Sequence, residues 1–141
     1  MPENRTRSVL VVEDEDLVAM ATGEALEGHG FHVCGTAATE AAALRLAAEC
    51  DPDFAVVDLQ LAGGGSGLRV GRALAAEGVQ VLYATGHGPA WRQEMEDTGA
   101  RGCIAKPYDP GDVPRALEAL DRLQLGAAPR RLPPEMHLFV D

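Results

Sequence analysis

The sequence is poor in aromatic residues, which make up only 4% of its 141 residues. The core must therefore be built mainly from Ala, Val and Leu. Basic residues are also scarce, because 12 Lys and Arg stand against 22 Asp and Glu, a formal net charge of -10. A chain this acidic repels phosphate backbones and anionic lipid headgroups, which argues against direct binding to nucleic acid or to a membrane surface.

Long hydrophobic runs and close cysteine pairs are missing as well. No apolar stretch approaches the roughly 20 residues that span a bilayer. The first residues do not resemble a signal peptide, so we expect a cytoplasmic protein. The cysteines are Cys34, Cys50 and Cys103, an odd number without zinc-type spacing. We expect reduced thiols, mostly buried, rather than disulfides or a metal site.

What the sequence does contain is an alternation of short apolar runs with longer amphipathic segments. The β-branched run Ser8–Val12 is typical of a strand buried on both faces. Further strands are predicted at residues 31–35, 54–57, 79–83 and 102–105, and helices at 17–27, 39–49, 68–77, 91–98 and 112–123. The pattern predicts an α/β fold, a doubly wound parallel sheet of five strands in a (βα)5 arrangement.

Helical spacing also places apolar residues along one side of three of the predicted helices. They are Leu17, Ala21 and Ala25 in the first helix, Leu44, Ala47 and Ala48 in the second, and Val113, Ala116, Leu117, Leu120 and Leu123 in the last. We divide the chain into a lead-in (1–7), one domain (8–125) and a tail (126–141) without an output domain. For residues 132–140 two interpretations stay open, a frayed terminus or a segment that docks on the domain or on a partner.

Polar side chains follow the predicted strands at the points where they end. Glu13 and Asp14 follow the first strand, Asp58 the third, Thr85 the fourth and Lys106 the fifth. Ligands of doubly wound sheets bind beyond the carboxyl ends of the strands, so we expect these side chains to converge. The set suits phosphoryl transfer, with Mg²⁺ held by the carboxylates and Asp58 as nucleophile. Thr85 and Lys106 would contact phosphoryl oxygens.

Each of these residues taken alone has an ordinary structural explanation. An acid after a strand often caps the next helix, and we expect that of Glu15 or Asp16. Thr85 alone would be a turn residue, and Lys106 alone a solvated charge. The prediction of a site therefore rests on the ordered set.

Four motifs in this order resemble the receiver domain of bacterial two-component response regulators. They are Val-Leu-Val-Val-Glu-Asp-Glu at 9–15, Val-Val-Asp at 56–58, Ala-Thr-Gly at 84–86 and Ala-Lys-Pro-Tyr at 105–108, and the resemblance covers about residues 7–125. It implies a flavodoxin-like sheet with strand order 2-1-3-4-5. It also implies that Glu13 and Asp14 form an acidic pair and that Asp58 is the phosphoacceptor. Thr85 would supply the switch hydroxyl, Lys106 would contact the phosphate, and the backbone carbonyl of Gln60 would bind the metal.

The residues after 125 are too few for a DNA-binding module, so we expect a stand-alone receiver. The resemblance further implies a signalling phosphoacceptor rather than an enzyme. It would take a phosphoryl group from a sensor histidine kinase or a histidine phosphotransferase, with Mg²⁺, and catalyse only its own phosphorylation and slow dephosphorylation. Its output would pass to a downstream protein through the face formed by the fourth helix, fifth strand and fifth helix. A homodimer stays open as well.

The chain departs from the usual receiver pattern at two positions. Ala62 replaces a proline four residues after the phosphoacceptor, and Cys103 replaces an aromatic residue three positions before the lysine. A narrower similarity lies in residues 83–87, Tyr-Ala-Thr-Gly-His, which resemble the Phe-Ala-Thr-Gly-(Gly or Tyr) motif of a group of alphaproteobacterial receivers.

Three other functions stay open as alternatives. A phosphorylation-independent adaptor receiver would not need the complete set of Asp58, Thr85 and Lys106. A haloacid-dehalogenase-like phosphatase would use residues 14–18 but leaves Asp58 without a role and needs a further strand after the lysine. A flavin or nucleotide binder needs a phosphate-binding loop after the first strand, where residues 13–16 are all acidic.

Overall fold

The protein alternates strands with helices along most of its length. The computed structural model describes residues 7–86, 88–128 and 131–139. Its strands are β1 (Ser8–Val12), β2 (His32–Ala37), β3 (Phe54–Asp58), β4 (Gln80–Thr85), β5 (Gly102–Ala105) and β6 (Met136–Leu138). Its α-helices are α1 (Asp16–Gly28), α2 (Glu40–Cys50), α3 (Gly67–Ala76), α4 (Arg92–Asp97) and α5 (Asp112–Gln124), and short 3-10 helices lie at Ala62–Gly64 and Gly88–Trp91.

All of these strands join one sheet in the order β2-β1-β3-β4-β5-β6. The first five pair in parallel, and β6 pairs antiparallel with β5. The flavodoxin-like α/β fold and its strand order 2-1-3-4-5 are therefore confirmed. The structure adds a sixth strand that the sequence analysis did not predict.

Two apolar clusters cover the two faces of the sheet. Along β1, Val9 and Val11 belong to one cluster and Leu10 and Val12 to the other, because successive side chains of a strand point to opposite faces. Helices α1 and α5 pack on the first face, and α2, α3 and α4 on the second. Burial on both faces is the reason why β1 is an unbroken apolar run.

The apolar residues that stand at helical spacing in α1 are not the ones that this helix buries. The buried residues of this helix are Ala19, Thr22 and Leu26, whereas Leu17 is 81% exposed and Ala21 and Ala25 are only half-buried. Apolar residues lie on nearly every side of α1, so the helical spacing alone contains little contrast between inside and outside.

In α2, too, the apolar pattern does not identify the buried side, whereas in α5 it does. In α2 the buried residue is Ala43, whereas Leu44 and Ala48, on the apolar side noted in the sequence, are exposed and Ala47 is half-buried. In α5 the predicted residues Val113, Ala116, Leu117 and Leu120 are fully buried, and Leu123 is half-buried. Helix α5 carries charged residues on its outer side, so its apolar stripe is well defined.

The interpretation of residues 136–139 as part of a frayed terminus is wrong, because this segment docks on the domain. Leu138 pairs with Gly102 of β5 and Met136 pairs with Ile104, and the Met136 side chain is buried. Residues 1–6, 129, 130, 140 and 141 lie outside the described part of the chain, as does His87 of the predicted 83–87 motif.

The cysteines carry free thiols, of which Cys103 is buried and Cys34 and Cys50 are half-buried. The thiol of Cys50 donates a hydrogen bond to the backbone oxygen of Cys34 over 3.2 Å. Within the described ranges, no helix combines the length and the apolar character needed to cross a bilayer.

Candidate functional site

The carboxyl ends of β1, β3, β4 and β5 bring the predicted site residues together. Asp58 is the last residue of β3 and Thr85 the last residue of β4, while Glu13 and Lys106 directly follow β1 and β5. A cavity of about 360 Å³ opens at this edge. It is lined by Asp14, Glu15, Asp58, Leu59, Gln60, Thr85, Gly86 and Lys106.

The ammonium of Lys106 bridges two of the carboxylates. Its Nζ lies 3.0 Å from Glu13 Oε1 and 3.1 Å from Asp58 Oδ2. Burial lowers the pKa of Lys106, but the hydrogen bond to Glu13 and the charge of Asp58 outweigh it, so this pKa is raised above its ordinary value. Lys106 therefore stays charged and holds the two carboxylates together.

Glu13 is deeply buried for a carboxylate, with 5% of the residue exposed. Burial raises the pKa of its carboxyl to about 7, although the hydrogen bonds from Lys106 and from the Glu15 backbone oppose this shift. The nearby Asp58 adds to the increase. Burial is therefore the main reason why the pKa of Glu13 is above that of an exposed glutamate, and Lys106 and the Glu15 backbone offset it only in part.

Three carboxylates at this edge are arranged for a cation. Glu13, Asp14 and Asp58 each offer an oxygen, and these oxygens all lie within 4.8 Å of one another. Gln60 lines the same cavity, and its backbone N–H donates to Asp58 Oδ1 over 3.2 Å. Hard oxygen donors at this spacing suit Mg²⁺, which binds one or two carboxylates and keeps several waters. The residues present therefore fit the expected metal.

Thr85 is buried beside Lys106 at the end of β4. Only 2% of the residue is exposed, and its backbone oxygen accepts a hydrogen bond from the Lys106 N–H over 2.8 Å. This bond continues the pairing of β4 with β5, in which Thr85 lies opposite Ala105. The backbones of Thr85 and Lys106 are thus held next to each other at the ends of neighbouring strands.

The expected capping role of Glu15 or Asp16 is wrong. Glu15 occupies the N-cap position of α1, but its side chain makes no capping hydrogen bond. Its Oε1 instead lies 3.9 Å from Lys106 Nζ, and its backbone N–H donates to Glu13 Oε2 over 3.1 Å. Glu13 thus orders the start of α1, and Glu15 adds a further carboxylate at the rim of the site.

Sequence reasoning missed a glycine that packs against the site. A Cβ on Gly67, the first residue of α3, would overlap the backbone oxygen of Asp58 and approach Leu59 Cα to 2.8 Å. Helix α3 therefore begins in contact with the backbone that carries the Asp58 carboxylate. The only signal in the sequence was the richness in glycine of residues 63–67, which does not show which glycine is required.

The geometry is that of an acidic, lysine-bridged site at the end of a doubly wound sheet. The family model of the response regulator receiver domain matches residues 9–118 of the chain. This chain belongs to the response regulator receiver domain family. Receiver domains of two-component systems are signalling phosphoacceptors rather than classical enzymes, and they interact with histidine kinases and downstream effectors.

The receiver is similar in sequence to two bacterial regulatory proteins. It is 37% identical over 111 residues to the phyllosphere-induced regulator PhyR of Methylorubrum extorquens, covering 74% of this chain and 40% of that protein. It is 34% identical over 113 residues to the photosynthetic apparatus regulatory protein RegA of Rhodovulum sulfidophilum, covering 78% of this chain and 61% of that protein. The receiver thus spans less than two thirds of the length of either relative.

Solved receiver structures share the fold over nearly the whole chain. A LuxR-family response regulator from Aurantimonas has a TM-score of 0.74 at 28% identity, covering 92% of this chain and 91% of that one. The PhyR receiver domain of Erythrobacter litoralis has a TM-score of 0.70 at 25% identity, covering 89% of this chain and 95% of that one. These similarities agree with the family assignment.

Proposed function

We propose that this receiver accepts a phosphoryl group on Asp58 from the phosphohistidine of a sensor histidine kinase or a histidine phosphotransferase, in a Mg²⁺-dependent reaction. The observation that carries the proposal is the position of the Asp58 carboxylate. It is bound by Lys106 on one side and lies with Glu13 and Asp14 in a set of oxygens within 4.8 Å of one another. In the proposed division of the chain, residues 8–125 perform this function and 126–141 form a tail.

The transfer exchanges one phosphorus bond for another. A carboxylate oxygen of Asp58 attacks phosphorus, the phosphorus–nitrogen bond of the donor breaks, and the electron pair stays on the histidine nitrogen, which then takes a proton from water. Acetyl phosphate replaces the donor in a direct assay, with acetate as the leaving group. Slow hydrolysis of the aspartyl phosphate by water returns Asp58 and inorganic phosphate.

The residues around Asp58 have separate tasks in this proposal. Lys106 neutralises charge on the phosphoryl oxygens, and the Thr85 hydroxyl donates a hydrogen bond to one of them. Glu13 and Asp14, with Asp58 and the backbone carbonyl of Gln60, would hold Mg²⁺. The ion, when bound, offsets the negative charge that accumulates when a phosphoryl group approaches a carboxylate.

Signalling would leave the protein through contacts with a downstream protein. The face proposed for these contacts is formed by α4, β5 and α5, and two copies of the receiver could meet there as a homodimer. A phosphorylation-independent adaptor is the alternative, and the experiment that follows separates the two.

Intact-mass spectrometry of the protein after incubation with acetyl phosphate tests the proposal. We expect the wild type to gain the mass of one phosphoryl group with Mg²⁺ and to gain none with excess EDTA. Asp58→Asn removes the nucleophile while keeping the shape of the side chain, and it should abolish incorporation. Asp51→Asn is the matched control, because Asp51 is exposed and its left-handed backbone conformation is one that Asn tolerates.

Full incorporation in Asp58→Asn would overturn the assignment of the phosphoacceptor. Incorporation that is insensitive to EDTA would remove the metal role of Glu13 and Asp14. A wild-type protein that gains no phosphoryl group, from acetyl phosphate or from a kinase, would favour the adaptor function. Rapid turnover of a generic phosphomonoester would favour the phosphatase.

A further inference from the structure

The outer edge of β5 is covered by the chain itself. We call residues 135–139 the edge segment. The N–H of Ala105 donates to the Glu135 oxygen over 2.9 Å, and the N–H of Phe139 donates to the Arg101 oxygen over the same distance. β5 is the last strand of the parallel sheet, so this segment pairs backbone groups that an open edge would leave available to another chain.

Side chains of the edge segment enter both apolar clusters of the domain. Met136 is 5% exposed and belongs to the cluster on the α1 and α5 face. Phe139 is half-buried and packs against the cluster on the other face. The Arg92 guanidinium of α4 lies 5.4 Å from the centre of the Phe139 ring, and it donates to the Leu138 oxygen over 3.3 Å. The edge segment therefore fills a shaped site between β5 and α4.

β5 is shaped for the close approach of a second backbone at Gly102. A Cβ on this residue would lie only 2.8 Å from the backbone oxygen of His137. A strand can therefore pair at this point only because β5 has no side chain there. Pairing at this edge thus requires a residue without a side chain at position 102, in addition to the apolar contacts of Met136 and Phe139.

The edge segment is a short addition at the end of the sheet. β6 is only three residues long, and His137 in its middle is exposed. A terminal segment of this length opens at a smaller cost than the central strands of a domain. A competing strand would have to match its backbone pairing and the contacts of Met136 and Phe139 to replace it.

We propose that the edge of β5 is a strand-binding site that the edge segment occupies, and that a protein partner binds there by supplying a β-strand in its place. The partner strand would run antiparallel to β5, with an apolar side chain at the position of Met136 and an aromatic one at that of Phe139. Such strand addition gains affinity from main-chain hydrogen bonds and selectivity from the side-chain pockets. The edge is part of the face proposed for output.

The inference rests on the proposed output through protein contacts, but it does not require phosphorylation of Asp58. The two sites are close together in the chain, because Ala105, whose N–H donates to the edge segment, directly precedes Lys106. The two proposals can nevertheless fail separately, because strand binding is measured here without a phosphodonor and without Mg²⁺.

Binding of a fluorescein-labelled peptide of residues 131–139 to the full chain tests the proposal. In the wild type the edge segment competes at the high effective concentration of an attached ligand, so the peptide should bind weakly. Met136→Asp places a carboxylate in a buried apolar position and should release the edge segment. We expect this variant to bind the peptide at least about ten-fold more tightly by fluorescence anisotropy. His137→Asp is the matched control and should behave as the wild type, because His137 is exposed.

A second substitution tests the shape of the edge. Gly102→Val in the Met136→Asp background should abolish peptide binding, because its side chain occupies the place of the incoming backbone. If Met136→Asp does not fold, as judged by circular dichroism, Phe139→Ser releases the segment more mildly and takes its place. Peptide binding that is no tighter in the folded release variant than in the wild type would overturn the proposal. Equal binding of a scrambled peptide would do the same.

Discussion

Lys106 is the only lysine in the chain, and its ammonium lies between the carboxylates of Glu13 and Asp58. The sequence alone does not distinguish this lysine from one whose ammonium is fully solvated. In the structure it is the cation that offsets the repulsion between two acids at a buried edge. The pKa of Lys106 therefore depends directly on the carboxylates around it.

The pKa of Lys106 should depend on Asp58. The hydrogen bonds and charges of Glu13 and Asp58 raise this pKa in the wild type, against the effect of burial. We expect Asp58→Asn to lower it, since the neutral amide no longer favours the charged ammonium. Reductive methylation with carbon-13 labels this single lysine side chain, and an NMR titration measures the pKa. The α-amino group gives a separate signal at lower pKa.

The exposed Asp51→Asn substitution controls for a general change of charge. It should leave the Lys106 titration in place. A Lys106 pKa that is equal in the wild type and in Asp58→Asn would contradict the bridging position of the ammonium.

At the scale of elements, α3 is held against the sheet by a glycine and a tyrosine. Tyr83 of β4 is fully buried, and its hydroxyl donates to Thr98 Oγ1 over 2.9 Å. A Cβ on Gly71 of α3 would overlap this hydroxyl. The close contact of helix and strand therefore requires glycine at this position, although glycine inside a helix costs about 0.5–1 kcal/mol relative to alanine.

Gly71→Ala should therefore destabilise the protein in spite of its better helix propensity. We expect a loss of about 1–3 kcal/mol in the free energy of unfolding, which is typical of overpacking a core. Urea denaturation followed by circular dichroism measures it. Gly28→Ala is the matched control, because Gly28 also lies in a helix but a Cβ there would meet no atom within 4 Å. Equal effects of both substitutions would argue against the tight contact of α3 with Tyr83.

Elements differ in how well the sequence predicts their orientation. Strands β1 and β3 and helix α5 follow most directly from the sequence, because the two buried strands are continuous apolar runs and α5 has a polar outer side. The buried sides of α1 and α2 do not follow from the sequence, because both helices carry apolar residues, many of them alanines, on several of their own sides. Which side is buried there depends on the volume left by β2 and by the neighbouring helices, a property of the packed structure.

At the scale of the whole molecule, the net charge of -10 is concentrated in part at the site. Glu13, Asp14, Glu15 and Asp58 face a single ammonium at one edge of the sheet. Most of the other acids in the described residues are exposed or half-buried, where salt screens their repulsion. Mg²⁺ should therefore affect the protein differently from an equal ionic strength of NaCl.

Mg²⁺ should raise the thermal unfolding midpoint of the wild type beyond the effect of NaCl at matched ionic strength. A ligand that binds only the folded state stabilises it by about 2.7 kcal/mol at a concentration of 100 times its Kd. Asp14→Asn should remove most of this specific shift, and because Asp14 is exposed the substitution leaves the core intact. Differential scanning calorimetry provides the midpoints. An equal Mg²⁺ shift in the wild type and in Asp14→Asn would contradict the metal-binding role of this carboxylate.

The sequence by itself determined the α/β fold and the set of polar residues at the carboxyl edge of its sheet. Parallel strands all end on the same side of a sheet, so residues that follow buried apolar runs, such as Asp58 and Lys106, are brought together by topology alone. Only the tertiary structure decided that Lys106 bridges two carboxylates, that Gly67 and Gly71 admit α3, and that residues 135–139 close the β5 edge. These features depend on distances between residues far apart in the chain, and periodicity along a sequence contains no information about such distances.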